Sequence, residues 1–250
     1  FLDQYEEAIK DLDKSIELNP EDSFSWEYRG FAYLENLNFE LAENDFKKSY
    51  EIDGDKANFS DNIGQIFYRK KDYYIAIKHY LDALKIEPNK YVVYAHMSLA
   101  KLELGNNKDS YDDMKKSEEL YINQTKLRFF SIFNSKELNK VMKIYELNND
   151  LERFEQILNY MNNENRNNDN LFLQGILQFK KGDFYSAIST FLEVYEVDNQ
   201  NKECILYLGK AKLALKDYKN ALVDFEKYKE LGSNDEIDKL IKTCKGNLKK

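Results

Sequence analysis

The stretch SFSWEYRGFAYLENLNFELAENDFKKSYEIDGDK, residues 23–56, decides the fold. Trp26, Gly30 and Tyr33 stand at i, i+4 and i+7, one face of a helix. A short polar turn at Glu35 to Asn38 follows, and Ala42, Phe46 and Ser49 repeat the same spacing. Small residues at Gly30 and Ala42 let two helix backbones approach, and a large side chain such as Phe46 fills the space between them. The stretch therefore predicts a helical hairpin.

The same pattern recurs along the chain. Ala8, Ala42, Ala76 and Ser110 fall 34 residues apart, and Ala187 and Ala221 resume the step after a gap of 77. Leu12, Phe46, Tyr80, Met114, Phe191 and Phe225 form an apolar column, while Gly30, Gly64, Ser98, Gly175 and Gly209 form a small-residue column. Pro20, Gly54 and Pro88 mark helix ends in the same register. A gap of 77 is two periods plus nine, so one degenerate repeat with an insertion is expected inside it. A single hairpin cannot bury both its faces, but stacked hairpins can, which predicts an open all-α superhelix.

Composition agrees. Glycine and proline number 9 and 2 among 250 residues, about 4% together against a usual ~12%. That is too few turn formers for a sandwich or barrel of short strands. The balance of 37 basic and 45 acidic side chains, net -8, is not that of a nucleic-acid binder. Residues 1–120 hold 16 basic and 26 acidic groups, a net of -10, so the acidity sits in the N-terminal half. The longest stretches free of Asp, Glu, Lys and Arg, Tyr91–Ala100 and Asn170–Phe179, are ten residues each, short of the ~20 that span a bilayer.

These columns resemble the tetratricopeptide repeat family. Trp26, Gly30, Tyr33, Ala42 and Phe46 match its signature in one unit, and Gly64, Phe67, Ala76, Tyr80, Ala83 and Pro88 match it in the next. Gly175, Ala187, Phe191, Gly209, Ala221 and Phe225 carry it near the C-terminus. The resemblance implies an all-α fold, an α-α superhelix or solenoid of helical hairpins, as one domain over 1–250. The units are a partial repeat at 1–22, repeats at 23–56, 57–90 and 91–124, and a degenerate repeat with the insertion at 125–167. Repeats at 168–201 and 202–235 follow, then a capping helix at 236–250 with Leu240, Ile241 and Cys244 on its inner side. Within the degenerate repeat, helices are expected near Lys136–Tyr145 and Leu151–Met161. The asparagine-rich tail Asn162–Asn170 is expected as a surface loop. Phe129, Phe130, Ile132 and Phe133 read as filler for a seam, with an exposed docking patch as the other reading.

No catalytic constellation is found. His79 and His96 lie outside any HExxH pattern, and Cys204 and Cys244 are forty residues apart without CxxC spacing. There is no phosphate-binding glycine loop and no GxSxG elbow. The expectation is a chain that is not an enzyme and uses no cofactor or metal. The two cysteines read as reduced, buried thiols, which favours the cytoplasm.

The resemblance implies that the first helix of each hairpin lines a concave groove that binds protein. Its groove-facing positions here include Phe24 and Tyr28 in one unit, Asp61, Asn62, Gln65 and Arg69 in the next, and His96 in the third. Aromatic and amide side chains at that spacing suit an extended peptide or a helix. Leaving Asn58, Asn62 and Gln65 buried without a purpose would be costly, so they are expected to face solvent or a ligand. Chaperone-tail receptors of the family grip a terminal carboxylate with lysine, asparagine and arginine from three units. Here the matching places hold Glu27 and Phe31, then Asn62, then Val92 and His96, so only the asparagine is kept. A basic or neutral peptide is the expected partner for the acidic half. The reading is a noncatalytic protein-interaction scaffold; alternatively the chain is the regulatory or substrate-recruiting arm of an enzyme whose catalytic domain lies outside it. Self-association through the end helices or the aromatic segment is a further expectation, and nucleic acid and membrane are not expected partners.

Overall fold

A computed structural model describes residues 2–125, 129, 133–164, 168–232 and 235–249. Among them are fourteen α-helices and no strand. The helices are α1 Leu2–Leu18, α2 Ser23–Glu35, α3 Phe39–Asp53, α4 Lys56–Arg69, α5 Tyr73–Ile86, α6 Tyr91–Glu103 and α7 Asn107–Thr125. Then come α8 Ser135–Leu147, α9 Leu151–Glu164, α10 Asn168–Lys180, α11 Phe184–Val197, α12 Lys202–Ala214, α13 Tyr218–Glu230 and α14 Asp235–Asn247. They fall into two compact units, Phe1–Asn148 and Asn149–Lys250.

One local device makes each hairpin. In the turn after α2 the Asn38 amide donates to the Tyr33 carbonyl, and Asp72 to Phe67, Asn106 to Lys101, Asp183 to Gln178 and Asp217 to Lys212 do the same. This six-residue closure places the residue before it in the left-handed region, at Leu37, Lys71, Gly105, Gly182 and Lys216. The next residue then starts the second helix. Asp72, Asp183 and Asp217 accept from a backbone amide of that helix, satisfying one of its orphan donors.

The glycine and aromatic columns meet inside each hairpin. A Cβ added to Gly30 would lie 2.6 Å from the Phe46 ring, and at Gly64, Gly175 and Gly209 it would lie 2.5, 2.5 and 2.6 Å from Tyr80, Phe191 and Phe225. Only glycine admits those rings at that depth, and all four rings are buried. The hairpin of α6 and α7 uses another solution. Ser98 carries a side chain, its column partner is Met114 rather than a ring, and the Ser98 hydroxyl donates to the Ser110 carbonyl at 2.6 Å.

Within the first unit, neighbouring hairpins share a core of Leu34, Ala42, Phe46, Ile63 and Ile66, and a second of Ala76, Tyr80, Ala83, Val93 and Met97. Arg29 of α2 ties three helices together, donating to Asp13 of α1 at 2.6 Å and to Asp45 of α3 at 2.7 Å. In the second unit Ile205, Ala221, Phe225 and Tyr228 pack with Ile237 and Cys244 of α14, and Leu240 and Ile241 lie against the same cluster. The last helix thus closes the apolar end of that unit.

The insertion falls earlier than the asparagine-rich tail. Second helices start at Phe39, Tyr73 and Asn107, a step of 34, but the following one starts at Leu151, 44 residues on. The extra length is in α7, which runs 19 residues against 14 for α5, and in the connector after it. Phe129 of that connector is buried, with ring centroids 5.7 Å from Tyr121 and 5.3 Å from Phe133. It fills a seam; Phe130 and Ile132 lie outside the described residues. The expected loop at Asn162–Asn170 is corrected: Asn162 to Glu164 finish α9 and Asn168 to Asn170 begin α10, with Asn170 buried. Packing of α9 on α10 outweighs the weak helix propensity of asparagine.

Candidate functional site

In the first unit α2, α4 and α6 lead consecutive hairpins and α8 follows them, packing on α6 and α7; side chains of these four helices meet across the boundaries between repeats. Asn62 of α4 donates its amide to Glu27 of α2 at 2.8 Å. Asp61 of α4 pairs with His96 Nδ1 of α6 at 2.9 Å. Arg69 of α4 forms an ion pair with Glu35 of α2, and Lys140 of α8 donates to Tyr68 of α4 and Glu103 of α6. Each pair joins one of α2, α4, α6 and α8 to the next in that series or, for Tyr68, skips one.

This arrangement sorts the seven sequence-predicted residues into two groups. Asp61 and Asn62 are buried, Gln65 approaches Asp61, and Arg69 and His96 are engaged by carboxylates of adjacent helices. The expectation that Asn62 faces solvent or ligand is corrected: its amide is buried and spent on Glu27, so the desolvation cost is met within the chain. Phe24 and Tyr28, in contrast, are 63% and 60% exposed and stand one turn apart on α2. Phe31, a further turn along, turns inward, its ring edge-on to Phe46 at 5.0 Å. Gln65, the loosest of the engaged group, is half-buried, as is Tyr68.

Electrostatics follow from this packing. Burial raises the Glu27 carboxyl above its ordinary range; the Asn62 hydrogen bond opposes that, and Asp53 and Asp55 reinforce it. Burial works against a charge on His96, but Asp61 and, further off, Glu137 outweigh it and leave the imidazole raised. For Lys140 burial is likewise overcome, by Glu103 and Tyr68. The exposed aromatics of α2 thus flank Glu27, on which Asp53 and Asp55 act as like charges and Lys90 as an opposite one.

Sequence reading missed these partnerships, including Lys140 altogether. A signal exists: Glu27 with Asn62 and Asp61 with His96 are both 35 residues apart, and Glu35 with Arg69 is 34. Complementary polar residues one repeat apart on the leading helix mark such pairs. On the chemical side, no group of three or more His, Cys, Asp or Glu among the described residues could hold a metal ion. Cys204 and Cys244 are free and buried, and the Cys204 thiol, pushed up to about 12 by burial and then by Asp198 and Asp224, donates to the Phe191 carbonyl. No helix among those residues is long and apolar enough to cross a membrane.

Stacked antiparallel hairpins with a 34-residue step define the class of all-α solenoid repeat proteins. The tetratricopeptide repeat family model matches residues 1–22 and 58–90. The chain carries tetratricopeptide repeats at those residues, and the same columns run through the other hairpins. A 65-residue stretch is 34% identical to the Protein STIP1 homolog of Dictyostelium discoideum, covering 26% of this chain and 12% of that protein. Among solved structures, the fold is similar to the APC/C hetero-tetramer Cut9-Hcn1, with TM-score 0.58 and 15% identity over 97% of this chain and 46% of that one. It is also similar to pilF of Pseudomonas aeruginosa, with TM-score 0.55 and 19% identity over 78% of this chain and 85% of that one. For MamA of Desulfovibrio magneticus RS-1 the values are 0.51 and 17%, over 70% and 94%. At these identities the structures establish the shared fold.

Proposed function

We propose that this chain is a noncatalytic scaffold that binds a peptide or helix of a partner protein along the leading-helix face of its first unit. The observation that carries this reading is the contrast on α2: Phe24 and Tyr28 are exposed, while the polar residues beside them are tied down by neighbouring helices. Two aromatic rings left in water on a rigid, preorganised face supply contact area at little entropic cost. Glu27, Asp61, Asn62, Gln65, Arg69 and His96 act by holding α2, α4 and α6 in register and by setting the field. Charge favours a basic or neutral segment, with a cationic side chain over the Tyr28 ring and near Glu27. A single anchor pair of this kind suits affinity on the order of micromolar, about -8 kcal/mol.

The test is selection from a displayed random peptide library with the wild-type chain beside Phe24→Ala/Tyr28→Ala, both exposed positions at which folding should be unaffected. Enriched peptides should carry Lys or Arg next to an apolar residue, and the double variant should lose them at least about tenfold. Acidic winners, or winners held equally by the variant, would remove this face from consideration.

A further inference from the structure

The second helices of the hairpins turn their outer faces to solvent, and two of them differ from the rest. In α3, α7 and α13 two outward columns hold charges: Glu40, Lys108 and Lys219 in one, Lys47, Lys115 and Glu226 in the other. In α5 these columns hold Tyr74 and Leu81, and in α11 they hold Tyr185 and Leu192. In α9, which starts at Leu151, the same two columns hold Glu152 and Asn159, both exposed and polar. A third column is apolar at the ends of α3, α7 and α13 as well, with Ile52, Leu120 and Leu231 beside Ile86 of α5 and Val197 of α11, and it extends the two stripes; each of the three α5/α11 pairs is separated by the same 111 residues. Tyr74 and Tyr185 are 75% and 77% exposed, and Leu81, Ile86, Leu192 and Val197 are exposed as well. Each face lies wholly within its own unit.

Scattered single apolar residues on a surface need no explanation, but an aromatic and an aliphatic on one stripe, twice, in matching columns, do. A helix apolar on its outer as well as its inner face is a helix that expects to be covered. Beside the α5 face a cavity of about 550 Å³, walled by Ile77, Leu84, Tyr94 and Met97, offers a socket for an incoming side chain. The two faces differ in charge. The α5 face carries exposed Lys78 and Lys85 with Asp82, which Lys85 already holds at 2.7 Å, and is net positive. The α11 face carries exposed Glu193 and Glu196 and is net negative. Like faces would repel; unlike faces complement each other.

We infer that the occupant of each face is a second copy of this chain, with α5 of one copy packing against α11 of another. The contact is heterologous, so copies either close into a ring or go on adding as concentration rises. A contact built on one helix from each side falls below about 1,200 Å² and belongs to the weak, reversible class.

The experiment is sedimentation velocity of the full chain from about 1 to about 500 µM, a range that brackets weak association. Wild type should show a mass that rises with concentration. Leu81→Glu and Leu192→Lys, which install charges of the kind the sister helices carry in that column, should each stay monomeric, with association weakened at least about tenfold. Mixing the two variants should restore a species of twice the monomer mass and no larger, because one intact α5 meets one intact α11. A wild type that is monomeric throughout would overturn the proposal. So would a Leu192→Lys chain that still associates as wild type does, since that would mean like faces pair. Unchanged circular dichroism and melting of both variants would tie the loss to the surface.

Discussion

Gly64→Ala tests the glycine and aromatic pairing most directly. The new methyl would sit 2.5 Å from Tyr80 Cε1, 2.7 Å from Cδ1 and 3.2 Å from Cζ, and the ring is buried, so it has nowhere to swing. Overpacking costs about 1–3 kcal/mol, and a 2.5 Å approach to a ring that cannot move takes the upper part of that range, about 2–3 kcal/mol. Alanine returns about 1 kcal/mol of helix propensity relative to glycine. The net expectation is a loss of about 1–2 kcal/mol in the first unit, or roughly 2–8 °C in its melting midpoint. Trp26, the single tryptophan, lies in that unit on α2, so its fluorescence follows this unit during urea or thermal unfolding. Gly246→Ala is the control: it is also helical, nothing lies within 4 Å of its added methyl, and it should be neutral or slightly stabilising. A second comparison comes from the chain itself. Gly64→Ser/Tyr80→Met copies the Ser98 and Met114 solution of the α6–α7 hairpin and should recover part of what Gly64→Ser alone loses. A Gly64→Ala chain as stable as wild type would refute the reasoning, because it would mean that α4 and α5 can separate at no cost.

Three further outcomes are expected. His96 sits on Asp61, with Glu137 and the Tyr80 ring also toward it. Its raised pKa makes its contribution complete below the unfolded value of about 6.5 and lost as pH rises through the folded one. The first unit should therefore melt higher at pH 6 than at pH 8, and His96→Gln should flatten that difference; an unchanged slope would contradict the assignment. Arg29→Met strands the buried Asp45 carboxylate and should cost about 3 kcal/mol in urea unfolding, with Arg29→Met/Asp45→Leu recovering most of it. Leu37 holds φ of 60° in an exposed turn where Gly105 and Gly182 occupy the equivalent places, so Leu37→Gly should raise stability by about 0.5 kcal/mol, read in the same assay.

Much of the fold was legible in one dimension because repeat packing is periodic. Ala42, Ala76, Ala187 and Ala221, and the glycines opposite Phe46, Tyr80, Phe191 and Phe225, recur because each hairpin must solve the same close approach. Burial along a helix face writes itself into the spacing of residues. The exposed pair on α2, Phe24 and Tyr28, was likewise visible as part of a face.

Tertiary structure decided which polar residues were available. Asn62 and Asp61 share a groove-facing stripe with Gln65 in the sequence, yet they are buried under contacts from Glu27 and His96. Those contacts depend on how far one helix is displaced against the next, a distance that helical periodicity does not encode. For the same reason Lys140 could not be linked to Tyr68 and Glu103 before the length of the insertion had set the position of α8. The asparagines at 162 and 168–170 extend helices because packing energy from neighbours exceeds their local preference for turns. The sequence by itself thus determined the period, the hairpins and the buried columns, and only the stacked helices decided which side chains are spent on one another and which stay exposed.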